Sequence, residues 1–246
     1  MSNSLPDMGN PPPQFTPILY LQRGWQQFQG EPGPAIGFTA VALAISLVLG
    51  LMPLGSLVSS VIGGPLFAGY YLVGLQQSRG QSIVFSDFFR GFNRFGDFFL
   101  INLLIGLVTF AACIPGLLAI AIAAILGNWL TGLSDAIQLI LAGVAVLAIV
   151  LLLLVPVIYL SVSYMLAIPL VADRTVKPWP AMESSRRRIG PQWLRAFALV
   201  LLISLVNLLG LLPCGLGLLL TLPWSYATIL AAYEDQFGQG TAVTNP

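Results

Sequence analysis

The side chains that could do chemistry in this sequence are mainly arginines beside apolar segments. Arg186, Arg187 and Arg188 are consecutive, and Arg90 and Arg94 lie in a phenylalanine-rich stretch. Near an anionic membrane surface, each basic side chain contributes about 1 kcal/mol of binding free energy. These five arginines therefore predict either lipid-headgroup contacts or determinants of membrane topology. Topology is the simpler interpretation, because such determinants occur at positions of this kind.

Uncharged polar side chains inside apolar stretches form a second group. Those that could line a path for a neutral solute are Asn102, Ser163, Asn207 and Tyr226. Hydrogen bonds between neighbouring helices are the more common role of such residues in membranes. No carboxylate lies in the middle of an apolar run, which disfavours ion coupling through a buried acid.

Most enzymatic chemistry is excluded by what the sequence lacks. Its 246 residues include no histidine, so the commonest general base and metal ligand is missing. Cys113 and Cys214 fall in or beside apolar segments without a base partner, and there is no glycine-rich phosphate loop. We predict that the protein is not an enzyme and uses no metal or cofactor. The net charge of +1 gives no reason to expect nucleic-acid binding.

The elements that position these residues are predicted to be membrane-spanning helices. Hydrophobic residues make up 57% of the chain and charged residues 8%, and the mean hydropathy is +0.89. Soluble domains carry about 25% charged residues. Six apolar runs are long enough to cross a bilayer, and they cover 35–54, 56–76, 98–126, 136–172, 192–212 and 214–233.

The positions of the basic residues predict the orientation of these helices. All ten lie in the N-terminal arm or in the connections 77–97 and 173–195, which six spans place on one side of the membrane. The positive-inside rule makes that side cytoplasmic. We predict an all-α bundle of six transmembrane helices, with hairpins at 35–76 and 192–233. It would lie in the bacterial cytoplasmic (inner) membrane, with both termini in the cytoplasm.

About three amphipathic helices are expected at the cytoplasmic membrane surface. The clearest has Phe85, Phe88, Phe89 and Phe92 on one helical face, with Ser86 as its N-cap. The other two are predicted by Ile18, Leu21, Trp25 and Phe28, and by the segment 179–193. Each of the three leads into an apolar helix pair.

Two features of the apolar runs each have two interpretations. The third and fourth apolar runs contain Pro115 and Pro156, which either kink or break their helices. The hairpin turns 49–55 and 209–215 are identical at five of seven positions. This similarity favours a parallel internal repeat of the kind found in transporters, but apolar segments also match by chance.

The domain boundaries follow from composition. Residues 17–238 are predicted to form one transmembrane domain. Residues 1–16, which include three consecutive prolines, are predicted as a disordered arm, and residues 239–246 as a short flexible tail.

Several short motifs together resemble a broad group of uncharacterised bacterial inner-membrane proteins. The motifs are Arg23-Gly24-Trp25, Pro65 with Ala68-Gly69-Tyr70, Ser86-Asp87-Phe88-Phe89, the run 167–173, and Ala232-Tyr233-Glu234-Asp235. That group is similar to the membrane domain associated with glycerophosphodiester phosphodiesterases, and the resemblance covers roughly residues 17–238. It implies a six-helix membrane protein. Phosphodiesterase activity is not implied, because that enzyme uses a separate catalytic domain and no such segment occurs in this sequence.

Two functional hypotheses follow. The first is a non-enzymatic membrane scaffold or accessory protein, whose partners are membrane lipids, other membrane proteins or further copies of itself. It is favoured by the amphipathic segments and by the absence of ionisable groups within the apolar runs. The alternative is a small channel or transporter for a neutral or weakly polar solute, which the prolines and the hairpin similarity favour.

Overall fold

A computed structural model of the protein describes residues 13–129, 134–174 and 176–238. This part of the chain consists of helices and their connections, without a β-strand, so the all-α prediction is confirmed. The α-helices are α1 Pro17–Gly30, α2 Pro32–Gly50, α3 Gly55–Ser78, α4 Phe95–Trp129, α5 Asp135–Tyr164, α6 Ala167–Arg174, α7 Pro178–Ile189, α8 Trp193–Leu211 and α9 Leu218–Phe237. Two 3₁₀ segments cover Phe85–Arg94 and Gly190–Gln192.

Five helical stretches are long and apolar enough to cross a membrane. They are Pro32–Gly50, Gly55–Ser78, Phe85–Gly127, Asp135–Arg174 and Pro178–Leu211. Helix α9, the sixth predicted span, is not among them. Its last turns contain Tyr233, Glu234 and Asp235, which lower its hydropathy.

Contacts along the chain divide it into two compact units. The first, unit 1, contains the described residues up to Asn102 and from Ser163 onwards. The second, unit 2, is Leu103–Val162, the later part of α4 and most of α5. Each unit is described by itself below.

The two predicted hairpins correspond to the helix pairs α2–α3 and α8–α9 of unit 1. Glycine makes both turns possible. A Cβ atom on Gly55 would lie 1.6 Å from the carbonyl oxygen of Leu49, and Gly215 adopts a φ of 80°, a conformation that glycine adopts without steric cost. The hairpins therefore depend on glycine at their tips as well as on apolar helices.

Helices α3 and α9 lie side by side in the core of unit 1 and run in the same direction. The rings of Tyr70 and Tyr226 stack with centroids 4.4 Å apart. Gly74, one turn further along α3, faces Leu230, one turn further along α9. The hydroxyl groups of Thr39 and Tyr70 lie 2.7 Å apart and join α2 to the same core.

The amphipathic segment after α3 differs from its prediction. It is a 3₁₀ helix, with three residues per turn, which places Phe88 and Gly91 on one buried face. Phe85, by contrast, keeps 42% of its surface exposed. The cause is a close crossing over α3, where a Cβ atom on Gly69 would lie 1.9 Å from the carbonyl oxygen of Phe88.

The N-cap prediction for this segment was also wrong. The segment begins after Val84, not at Ser86. The backbone N–H of Val84 donates a hydrogen bond to Oδ2 of Asp87 at 3.0 Å. A carboxylate three residues into the helix therefore replaces the serine as the partner of the first turn.

The other two amphipathic segments are helical, and their buried faces coincide only in part with the predicted ones. In α1 the buried residues are Tyr20, Gly24 and Phe28. Tyr20 and Gly24 contact α9, whereas Ile18 is 67% exposed. In α7 the buried face includes Arg188. Their position at a membrane surface stays a prediction.

Neither proline of the long apolar runs breaks its helix. Pro115 lies inside the 35-residue helix α4, and Pro156 lies inside the 30-residue helix α5. The fourth run instead breaks after Tyr164, before α6 begins at Ala167. Within unit 2, the thiol of Cys113 lies 3.8 Å from the carbonyl oxygen of Leu153, so the α4 and α5 segments are in contact.

The predicted arm and tail lie mostly outside the described residues. Residues 1–12 and 239–246 are not described. At the start of the described part, Phe15 is buried, and its N–H donates to Oε1 of Gln192 at 2.6 Å. The chain is therefore attached to unit 1 before α1 begins.

Candidate functional site

Charged and polar residues of unit 1 meet around the C-terminal end of α9. We call this group the basic junction. Its members are Tyr20, Arg23, Arg79, Asp173, Arg174, Arg188, Tyr233, Asp235 and Gln236. They come from α1, the end of α3, α6, α7 and α9, so the junction connects five elements that are distant in sequence.

Asp173 is the centre of one half of the basic junction. Its Oδ2 accepts a hydrogen bond from the hydroxyl of Tyr233 at 2.7 Å. Its Oδ1 forms an ion pair with Arg79, and Arg174 approaches Oδ2 to 3.7 Å. A single carboxylate therefore holds the end of α3 and the end of α6 against α9.

Asp235 is the centre of the other half. Its Oδ2 accepts a hydrogen bond from the hydroxyl of Tyr20 at 2.6 Å, and Arg23 lies 3.6 Å from its Oδ1. Burial and, to a smaller extent, the bonded carboxylate raise the pKa of Tyr20 to about 12. Tyr20 therefore stays protonated and donates to Asp235 at all physiological pH values.

The three consecutive arginines have different partners and different exposure. Arg186 and Arg187 pair with Glu183 at 3.0 and 2.6 Å. Arg188 is only 7% exposed, and its Nε–H donates to the carbonyl oxygen of Gln236 at 2.8 Å. Consecutive residues of a helix point in different directions, so one of the three turns into unit 1 while its neighbours stay at the surface.

Arg90 and Arg94 also differ from each other. Arg90 donates to Oε1 of Gln76 at 3.0 Å and remains largely exposed. Arg94 pairs with Asp97 at 3.0 Å and donates to the carbonyl oxygen of Ala172 at 3.3 Å. Of the five arginines predicted for headgroups or topology, Arg94 and Arg188 thus contact the protein backbone.

The four residues predicted for a polar path occupy different surroundings. Asn102 lies beside Gly64, whose Cβ would approach the amide nitrogen of Asn102 to 2.2 Å. Asn207 donates to the hydroxyl of Ser225 at 2.8 Å. Ser163 is buried, and its carbonyl oxygen accepts a hydrogen bond from Ser185 at 2.7 Å. Tyr226 stacks on Tyr70 in the core.

A small cavity lies between α1, α2, α3 and α9, and we call it the aromatic cavity. It measures about 30 Å³. Four aromatic residues and three polar residues contribute to its wall, namely Phe28, Tyr70, Phe88 and Tyr226 with Gln27, Glu31 and Gln77. Of the four path candidates, only Tyr226 is among the lining residues.

The amides at the aromatic cavity have a fixed orientation. Nε2 of Gln27 donates to the carbonyl oxygen of Gly74 at 2.8 Å, and Nε2 of Gln77 donates to the carbonyl oxygen of Gln27 at 2.8 Å. Each amide oxygen is thereby left as an acceptor. This site was not predicted, because Gln27 and Glu31, four residues apart beside the aromatic Phe28, form no pattern that indicates a cavity.

Metal ligation has no candidate among the described residues, which contain no group of three or more cysteine or carboxylate side chains able to hold an ion. The resemblance to the membrane domain associated with glycerophosphodiester phosphodiesterases stays a prediction from the motifs. No protein-family model, curated protein or solved structure matches the chain.

Proposed function

We propose that the chain crosses a bacterial cytoplasmic membrane six times, with both termini in the cytoplasm. The support is the geometry of α9. It runs parallel to α3, which is long and apolar enough to cross, and the ends of both helices meet at the basic junction through Tyr233, Asp173 and Arg79. A helix that follows α3 through this core crosses the same layer, even though its own hydropathy is lower.

The proposed function is that of a non-enzymatic scaffold or accessory protein that binds membrane lipids or protein partners. The observation that carries it is the filled interior of unit 1, where the rings of Phe67, Tyr226 and Tyr70 form a continuous stack. Asn207 and Ser225 bond to each other instead of facing a shared opening. This continuous stack disfavours a solute path through the core, whereas Arg90 and Arg187 remain exposed to contact headgroups or partners.

The orientation is tested with the native cysteines. Cys214 lies exposed in the turn between α8 and α9. In a Cys113→Ser background, a membrane-impermeant maleimide should label Cys214 from outside intact spheroplasts. In a cysteine-free background, Gln81→Cys, placed at the basic side, should react only after permeabilisation. Reversed labelling of the two positions would overturn the orientation, and equal protection of both would overturn the six crossings.

The scaffold function is tested against the channel alternative by solute flux. Proteoliposomes that contain the purified chain should shrink and reswell in glycerol or urea at the rate of protein-free liposomes. Lipids that remain bound through purification should be detectable by native mass spectrometry. Protein-dependent flux that is lost on Tyr226→Trp would contradict the scaffold and support a channel through the aromatic core.

A further inference from the structure

The aromatic cavity is lined by an acidic residue, Glu31, that forms no ion pair in the described part of the chain. Glu31 lies at the junction of α1 and α2 and is half-buried. Other carboxylates of unit 1, such as Asp87 and Asp173, form ion pairs with arginine. A carboxylate beside an apolar wall loses part of its hydration, and a bound cation compensates for that loss.

Two further residues with acceptor groups, Gln27 and Gln77, line the same cavity. The amide nitrogens of Gln27 and Gln77 both donate to backbone carbonyl groups. Their amide oxygens form no hydrogen bond with the described residues and are available as acceptors. Together with the carboxylate of Glu31, they give three acceptor groups around one cavity. A primary ammonium group carries three N–H donors and no acceptor, which matches this set.

The walls and the size of the cavity restrict the ligand further. The rings of Phe28, Tyr70 and Phe88 line it, and aromatic rings attract cations electrostatically. A cavity of about 30 Å³ admits a group of the size of one or two water molecules. An –NH₃⁺ group has that size, whereas a trimethylammonium group is larger.

We propose that the aromatic cavity is a binding site for a primary ammonium group, with Glu31 as its counter-ion and Gln27 and Gln77 as hydrogen-bond acceptors. The ligand is either the ethanolamine headgroup of a phospholipid or a soluble primary amine. The lipid source rests on the proposed function, and it places the headgroup in the leaflet on the side of Arg79, two residues after Gln77.

The test compares headgroups by native mass spectrometry of the purified full chain. Phosphatidylethanolamine and phosphatidylcholine with identical acyl chains are added in equal amounts, and the retained lipid is counted. The ethanolamine lipid should be retained about tenfold more strongly, because loss of a charge-assisted hydrogen bond costs roughly that factor. A second arm adds free ethanolamine to lipid-free micelles and measures the shift in melting temperature.

Three variants separate the site from the fold. Glu31→Gln should abolish the preference, and Ala227→Leu, which fills the cavity, should abolish it without removing a charge. Asp135→Asn removes an exposed acid in the first turn of α5 and should leave the preference unchanged. The melting temperature of each variant without ligand shows whether it is folded.

Each outcome decides one point. Binding of the lipid alone assigns the site to a headgroup, and binding of free ethanolamine alone assigns it to a soluble amine. Equal retention of both lipids without an effect of free ethanolamine, or a preference that survives in Glu31→Gln, would overturn the site. Solute flux through the wild-type protein would overturn the scaffold function but not the ammonium site, so the two failures are distinguishable.

Discussion

Unit 1 and unit 2 differ in the contacts that hold their helices together. In unit 1, backbones approach closely at glycines, such as Gly24 against Thr228 and Gly69 against Phe88, and buried polar groups join distant elements. In unit 2, Gly106 and Gly143 have no described atom of another segment within 4 Å of their Cβ positions, and the close approach is at Gly116, whose Cβ would lie 2.6 Å from Cδ2 of Leu153. The stretch that contains α5 is the most apolar of the five candidate spans, yet none of its most apolar window is buried.

The difference shows that apolarity and packing are separate properties in a membrane protein. Lipid tails are as apolar as leucine, so an apolar helix gains little from leaving lipid for another helix. Close backbone contact and hydrogen bonds must supply the association. Unit 1 has both at several helix contacts. In the described part of unit 2 the helices approach closely at Gly116 and Cys113, and most of the apolar side chains are exposed. Substitutions in unit 1 should therefore cost much more stability than equivalent substitutions in unit 2.

The largest effect is expected at Arg188. Arg188→Met keeps the aliphatic stem but removes the donor to the carbonyl oxygen of Gln236, which is then left buried without its partner. The free energy of unfolding should fall by about 2–3 kcal/mol, the usual value for a hydrogen bond to a charged group. Unfolding in mixed micelles with increasing denaturing detergent measures the change.

The matched control is the neighbouring residue. Arg187 is 68% exposed at its side chain and pairs with Glu183 at the surface, where ion pairs contribute little. Arg187→Met should unfold at the same detergent fraction as the wild type. Equal losses for the two variants would mean that the triplet does not divide into one buried and two surface residues.

The second effect is steric and compares glycines of the two units directly. A Cβ atom on Gly24 would lie 2.5 Å from Oγ1 and 2.6 Å from the backbone nitrogen of Thr228. Gly24→Ala should therefore cost about 1–3 kcal/mol, as overpacking does in well-packed cores. At Gly143 in α5 the added Cβ would meet no described atom of another segment within 4 Å, so Gly143→Ala should leave the unfolding midpoint unchanged or slightly raised.

A double variant identifies the source of the steric cost. Because the backbone of Thr228 is as close to Gly24 as its side chain is, Thr228→Ala should not restore the stability of Gly24→Ala. Full restoration would show that the added methyl group clashes only with the side chain of Thr228. The backbones of α1 and α9 would then be further apart at Gly24 than the structure shows.

The sequence predicted the features that depend on local composition. The helix pairs α2–α3 and α8–α9 follow from apolar runs interrupted by Gly and Pro, and both appear close to their expected bounds. The burial of Arg188 could not be predicted, because its partner, Gln236, lies 48 residues away. The 3₁₀ geometry of Phe85–Arg94 likewise depends on the glycines of α3. Composition does not reveal such pairings.

The candidate sites show the same difference between features set by local composition and features set by distant contacts. Arg90 and Arg187 lie at the surface of unit 1, where headgroup or topology determinants are expected. Glu31 was missed because a single acid between two helices has no periodic signal. Its significance comes from Tyr70, Phe88 and Tyr226, which three other segments bring to the same cavity.

A smaller effect is expected at Tyr20, which joins α1 to Asp235. Tyr20→Phe removes a hydrogen bond of 2.6 Å and should cost about 1 kcal/mol at neutral pH. The pKa of Tyr20 is about 12 in the folded protein, against 10.0 ordinarily. The folded state therefore holds the proton more tightly, and this stabilisation is complete below pH 10 and is lost as the pH rises towards 12.

The stability difference between wild type and Tyr20→Phe should consequently shrink through this alkaline range. Ultraviolet absorbance of tyrosinate, recorded for both proteins, measures the titration, and detergent unfolding measures the stability. The wild type should show one additional tyrosine that ionises near pH 12. A gap that widens with rising pH would contradict the bond to Asp235.

The smallest effect has the opposite sign, because unit 1 also contains buried polar atoms that form no hydrogen bond in the described structure. Removal of such an atom should stabilise the protein. The buried Oγ1 of Thr221 has no hydrogen-bond partner among the described residues, whereas Oγ1 of Thr39 bonds to both Ala35 and Tyr70 at 2.7 Å. Thr221→Val removes an unpaired buried hydroxyl while it keeps the side-chain shape, so unit 1 should gain up to about 1 kcal/mol of stability. Thr39→Val removes two bonds and should lose stability. If Thr221→Val also destabilises the protein, its hydroxyl has a partner, such as a water molecule, and the polar contacts of unit 1 extend further along α9 than its direct hydrogen bonds indicate.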